Sequence, residues 1–230
     1  MSHSVPIHLR PTAPLGERVL LPGDPGRALA LAQALLDQPR MFNHHRGLWG
    51  YTGAAPDGQP LTIQSTGMGG PSAAIVLTEL IALGARRAIR VGTCGALLDG
   101  LALGELVIAR ESICADGTSR ALGAGERAAG DPALTAALHD RVPAALLGTI
   151  VSVDLFYGGD ERARHNDAVA VEMEAAALFA VGAAAGVPVA CVLAVSDTFD
   201  GVGERERIDD EALLDAAERM GGAAIAALTL

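Results

Sequence analysis

The sequence predicts an α/β fold, a single three-layer αβα domain around a mixed, largely parallel sheet. Short apolar runs alternate with segments of helical apolar spacing along all 230 residues. Half of the residues are hydrophobic but only 3% are aromatic, and alanine and glycine abound, so helices can pack close against a sheet. Several apolar runs also end in glycine-rich turns, where sheets of this class carry their ligand loops. A chain of this length buries about 70% of its unfolded surface and needs no covalent staples. No linker-like stretch interrupts residues 1–230, which are read as one domain.

Arg18–Leu21 is a buried strand that ends in the turn Pro22-Gly23-Asp24-Pro25-Gly26, and a helix follows over Arg27–Leu36. Strands are expected at Arg40–His45, Leu48–Gly53 and Pro60–Ser65. The loop Gly67–Gly70 leads into a helix opened by Pro71 and running to Leu83. Ala88–Val91 is a strand broken by Gly92-Thr93-Cys94-Gly95, and another strand covers Glu105–Ile113. Gly117–Gly130, rich in glycine, alanine and charge, reads as a mobile surface loop. Asp131 caps a helix that reaches Arg141, with Pro132 at its first position. A strand at Leu147–Val153, a helix at Glu172–Ala185, an apolar strand at Val187–Val195 and a last helix from Asp209 to Ala227 complete the order.

The formal net charge is −10, and all 17 basic residues are arginine. An acidic surface argues against a nucleic-acid partner. Without lysine, Schiff-base chemistry and a Walker-type phosphate loop are excluded. Cys94, Cys114 and Cys191 are widely spaced, which fits a reducing compartment and neither a disulfide framework nor a zinc site. There is no signal-like N-terminus and no spanning apolar run, so the expectation is a soluble, cytoplasmic chain without a membrane partner.

Four strand ends carry residues suited to chemistry. Gly23–Arg27 is either an anion site, with turn N–H groups beside an arginine, or a plain turn with a solvated arginine. Ser65–Gly70 is either a close-approach ligand loop presenting Met68 or a strand-to-helix turn, and its spacing is not a dinucleotide fingerprint. Arg90, inside an apolar strand, needs either a bound anion or a structural carboxylate, and Thr93 follows it with a hydroxyl. Cys94 reads as a small core residue. Glu172 and Glu174 flank Met173, either capping a helix or accepting from a diol. Asp197, at the end of the most apolar strand, is a candidate proton donor. His44-His45 lacks further ligands at metal spacing, and no metal site is predicted.

The order of these segments is more specific than any one of them. Gly23-Asp24-Pro25, Ser65-Thr-Gly-Met-Gly-Gly-Pro-Ser72, Arg90-Val-Gly-Thr-Cys-Gly95, Val171-Glu-Met-Glu174 and Ser196-Asp197 resemble the hexameric branch of the nucleoside phosphorylase-I family. That branch holds the small bacterial purine nucleoside phosphorylases and the uridine phosphorylases. The likeness runs from about Ile7 to Asp197. It implies reversible phosphorolysis of nucleosides, with inorganic phosphate as co-substrate and no metal or organic cofactor.

Residue by residue, the resemblance implies phosphate binding by Gly23, Arg27, Arg90 and Thr93, with Arg46 supplied by a neighbouring subunit. Met68 and Glu174 would bind the ribose, and His8 would reach across a dimer interface to the 5′-hydroxyl. Cys94, Gly95, Phe156, Val171, Glu172, Met173 and Ser196 would line the base pocket, and Asp197 would be the general acid to the purine. A homohexamer built as a trimer of dimers is implied as well. Ser196-Asp197 is similar to the purine enzymes. The segment Asp160–Asp167 contains Arg162 and Arg164 but lacks the glutamine of the uridine enzymes, which are the alternative. Purine enzymes often carry an arginine after the Ser-Asp pair, and here Arg205 and Arg207 are available without a matching spacing. A nucleosidase would have no dianion to bind, which Arg27, Arg46 and Arg90 argue against. A nucleoside-binding protein without turnover is the reading outside enzymes.

Overall fold

The computed structural model describes residues 6–157, 165, 167–199 and 205–229. The strands are β1 (Arg18–Leu21), β2 (Asp37–Asn43), β3 (Gly50–Ala54), β4 (Pro60–Gln64), β5 (Arg87–Ala96), β6 (Leu106–Cys114), β7 (Arg127–Ala129), β8 (Leu146–Ser152), β9 (Ala170–Glu172), β10 (Val189–Phe199) and β11 (Arg205–Arg207). The helices are α1 (Pro25–Leu35), α2 (Gly70–Leu83), α3 (Gly117–Ala121), α4 (Pro132–Arg141), α5 (Ala175–Ala185) and α6 (Asp210–Ala227). All strands join one sheet in the order β11-β10-β6-β8-β9-β5-β1-β4-β3-β2, with β7 on β6. Pairing is parallel along β4-β1-β5-β10 and β6-β8-β9, and antiparallel elsewhere. Because β10 bonds to both β5 and β6, the run β5-β9-β8-β6-β10 closes into a ring.

Side-chain alternation along the central strands builds the two outer layers. Leu20, Ile89, Val91 and Val192 face one cluster with Leu31 of α1, Leu138 of α4 and Met220 of α6. Val19, Leu21, Ala88, Cys191 and Leu193 face the other, with Leu77 of α2 and Leu178 of α5. Two-residue periodicity therefore carries Arg90, next but one after Ala88, to the α2–α5 side.

Helix starts follow local chemistry. Asp24, Asp131 and Asp209 each accept a backbone N–H from three residues ahead, and proline stands in the first turn of α1, α2 and α4. Three expectations are corrected. The strand over Ala88–Val91 does not break at Gly92 but runs on to Ala96, pairing with β10 and β9. Gly117–Gly130 is not a featureless loop: Asp116 caps α3 through Ser119 N–H, and β7 pairs with β6. The helix expected from Glu172 starts at Ala175, because Glu172 is taken into β9 beside Ser152. No helix among the described residues is long and apolar enough to cross a membrane.

Candidate active site

The site gathers where β1, β4, β5 and β10 end. After β1, Asp24 Oδ1 accepts the Arg27 N–H at 2.7 Å, so Asp24 caps α1 and Arg27 lies in its first turn. After β4, Gly67 donates its N–H to the Gly23 carbonyl at 3.0 Å, which joins the first two loops. Gly67 and Gly69 have φ of 72° and 85°, a left-handed backbone that glycine adopts without strain. Between them Met68 stands 87% exposed, an apolar side chain offered outward.

Arg90 is the centre of the cluster. Its guanidinium lies across Gly92, where an added Cβ would meet Cζ at 2.7 Å, so a side chain at 92 would displace it. The residue that looked like a strand breaker is therefore the one that seats the arginine. Arg90 Nε donates to Glu172 Oε2 at 3.0 Å, and Nη2 donates to Glu174 Oε2. Burial alone would weaken its charge, but Glu174 and Glu172 together raise its pKa above the ordinary value. The third nitrogen, Nη1, is buried and has no hydrogen-bond partner among the described residues. It approaches the Gly23 turn, where a Cβ would lie 4.0 Å from it. Of the two readings of this arginine, the structural carboxylate is observed: two nitrogens are ion-paired to Glu172 and Glu174.

Arg27 reinforces that field. Burial, then the like charges of Arg90 and Arg207, hold its pKa below the ordinary value, with Asp24 opposing. Thr93 lies half-buried farther along β5.

The two glutamates divide their work. Glu172 accepts from Ser152 Oγ, Arg90 Nε, the Glu174 N–H and the Ala175 N–H. Burial pushes its carboxyl up and Arg90 opposes. It caps α5 and braces Arg90, a support the sequence concealed because Ser152 is far away in the chain. Glu174 is the N-cap residue of α5 but makes no side-chain capping bond; its two carboxylate oxygens accept from the Gly69 N–H and from Arg90. That links the Met68 loop to the guanidinium.

At the end of β10 the register shifts between Val195 and Asp197, so Ser196 is an extra residue and Asp197 sits opposite Gly95. Asp197 is buried. Its Oδ2 accepts from Ser196 Oγ at 2.7 Å and its Oδ1 from Arg205 Nε at 2.8 Å, with Arg207 Nη1 at 3.9 Å. The chain returns through β11 antiparallel to β10, pairing Phe199 with Arg205 and Asp197 with Arg207. The same guanidinium of Arg205 lies 4.5 Å from the Phe156 ring centroid, tying the aromatic residue to the acid. Phe156 is half exposed and meets Tyr157 edge to face. Val171 and Met173 pack beside Leu97, Val151 and Val153, an apolar wall. Burial drives the Cys94 thiol far up, so it is a core residue and no nucleophile.

His8 and Arg46 stand apart from this cluster, with no hydrogen bond or ion pair to it among the described residues. His8 is held by Glu79 of α2, and Arg46 is exposed at the φ 60° position of a turn after β2. Arg162 and Arg164 lie outside the described residues.

Residues 17–229 match the model of the phosphorylase superfamily. The chain belongs to that family. It is 35% identical over 201 residues to a DeoD-type purine nucleoside phosphorylase of Geobacillus kaustophilus, covering 81% of this chain and 83% of the relative. A relative of the same name from Clostridium perfringens is 33% identical over 232 residues, 94% of this chain and 95% of its own length. Among solved structures, the uridine phosphorylase of Vibrio fischeri in complex with 6-hydroxy-1-naphthoic acid superposes with a TM-score of 0.82 at 27% identity, covering 94% of this chain and 92% of that one.

Proposed function

We propose that this member of the phosphorylase superfamily is a purine nucleoside phosphorylase. It converts purine ribonucleosides or 2′-deoxyribonucleosides and inorganic phosphate to the free base and the sugar 1-phosphate. The observation that carries the reading is the buried Nη1 of Arg90, without a hydrogen-bond partner among the described residues, beside a second arginine that it repels. Two like charges held together with a spare donor suit a phosphate dianion, and the planar fork of arginine matches phosphate oxygens. In this reading Gly23, Arg27, Arg90 and Thr93 hold phosphate, completed by Arg46 from a neighbouring subunit. Met68 and Glu174 hold the ribose, and the neighbour's arm brings His8 to the 5′-hydroxyl. Cys94, Gly95, Phe156, Val171, Met173 and Ser196 border the base, with Glu172 bracing Arg90 from behind.

The N-glycosidic bond stretches first and the sugar becomes oxocarbenium-like, a charge that phosphate beneath C1′ stabilises before it attacks. The C1′–N9 bonding pair leaves with the purine, phosphate oxygen forms the new C1′–O bond, and Asp197 takes up a proton from solvent and passes it to N7. Ser196 and Arg205 fix the carboxyl group in place. Delivery of that proton is worth about 10²–10⁴-fold. An acid at this position favours purines over uridine. Two residues lent by a neighbour make an oligomer the working unit, and a homohexamer in the cytoplasm is the assembly we infer.

The test is release of free base from inosine, guanosine, adenosine and uridine, each with and without phosphate. Phosphate-dependent release from a purine supports the proposal. Release from uridine alone makes the chain a uridine phosphorylase, release without phosphate makes it a hydrolase, and binding without release makes it a nucleoside carrier.

A further inference from the structure

Glu79 is a buried carboxylate with no part in the cluster around Arg90. It accepts the backbone N–H groups of Ile7 at 3.0 Å, His8 at 3.0 Å and Leu9 at 2.7 Å, and its Oε1 lies 2.7 Å from Nδ1 of the His8 ring. Burial alone would push its carboxyl up, but the N–H groups of Ile7, Leu9 and His8 and the His8 ring hold it below the ordinary value. An ionised carboxylate only accepts, so the ring hydrogen must sit on Nδ1. In the neutral imidazole Nε2 then carries the lone pair and is an acceptor. The arm is gripped from a second side too. His45 Nδ1 donates to the His8 carbonyl at 2.9 Å, and the Arg10 N–H donates to the buried Asn43 at 2.9 Å.

We propose that Glu79 is a positioning residue for nucleoside recognition: by fixing the tautomer and the direction of the His8 ring, it presents Nε2 as an acceptor for the 5′-hydroxyl in a neighbouring subunit's site. The inference rests on the reading of His8 given under Proposed function. Four bonds to the arm would anchor the chain whatever the ring does, but anchoring needs no defined tautomer. A substrate that lacks only the 5′-hydroxyl separates the two roles.

The experiment compares kcat/KM for inosine and 5′-deoxyinosine, with the adenosine pair in parallel, in the full-length protein and its Glu79→Gln, His8→Ala and double variants. Each single variant is expected to lose about tenfold on the 5′-hydroxylated nucleoside and about twofold or less on its 5′-deoxy counterpart. The double variant is expected to be no worse than His8→Ala. If His8→Ala discriminates between the substrates and Glu79→Gln slows both alike, the proposal is overturned and the reading of His8 stands. If His8→Ala fails to discriminate, both fall. Should Glu79→Gln not fold, ¹⁵N NMR of the His8 ring in the unaltered protein decides: hydrogen on Nδ1 and a bare Nε2 are expected, and hydrogen on Nε2 overturns the proposal.

Discussion

The Arg90 cluster and the patch bearing His8 and Arg46 are built on opposite plans. Around Arg90 the charges are buried and mutually bonded, with a single nitrogen left over among the described residues. On the other patch, among the described residues, Arg46 is exposed and free of ion pairs and His8 is bonded on one ring nitrogen only. A buried network fixes geometry at the expense of tolerance to substitution, because each charge depends on its partner. An exposed group with open hydrogen-bonding capacity contributes little to its own chain and is suited to act on something outside it. The first patch therefore couples stability to chemistry, and Arg46 on the second separates them.

The largest effect expected is at Arg90. Arg90→Gln strands Glu172 and Glu174 in the interior, costing about 3–5 kcal/mol of stability and phosphate-dependent turnover together. Denaturant melts beside the assay will read both; loss of activity with unchanged stability would mean the network is not the support described. Asp197→Asn comes next: kcat is expected to fall about 10²–10⁴-fold while nucleoside affinity moves little. Equal losses in both would reduce Asp197 to a binding group.

Arg46→Ala should leave stability within about 0.5 kcal/mol and raise the KM for phosphate about tenfold. Mixing Arg46→Ala with Asp197→Asn subunits, assayed at phosphate well below the wild-type KM, should then restore part of the activity through hybrid sites. No recovery after verified subunit exchange would place Arg46 outside any shared site. The smallest effect is pH-dependent. Glu79 titrates below its ordinary value of 4.5 when folded, so its contribution is complete above that value and is lost as pH falls through the lower folded one. Stability of the wild type should accordingly decline more steeply than that of Glu79→Gln as pH falls below 4.5. Parallel declines would show that the arm contributes nothing in acid.

Local rules carried much of the fold. The run Arg18–Leu21 and the helix capped by Asp131 and ending at Arg141 stand as read, since a short apolar run and an Asp-Pro start are decided by nearby residues. Arg90 was conspicuous because an arginine amid apolar residues demands a partner. What stayed hidden depends on distant contacts. Gly92 resembles a turn residue until the guanidinium above it is seen. Glu172 looks helical until Ser152 and β8 claim it. Arg205 is eight residues beyond Asp197, a separation that only antiparallel return through β11 turns into a 2.8 Å bond.

The backbone at Arg46 has one last implication. A non-glycine residue at φ 60° sits about 1–2 kcal/mol above glycine in the same conformation, and Gly47 beside it already has φ 71°. The chain thus keeps a bulky side chain where its own folding would prefer none. Laboratory evolution for heat tolerance of the bare subunit, blind to turnover, should drift toward glycine at 46 and so breed hardier enzymes with a weaker hold on phosphate.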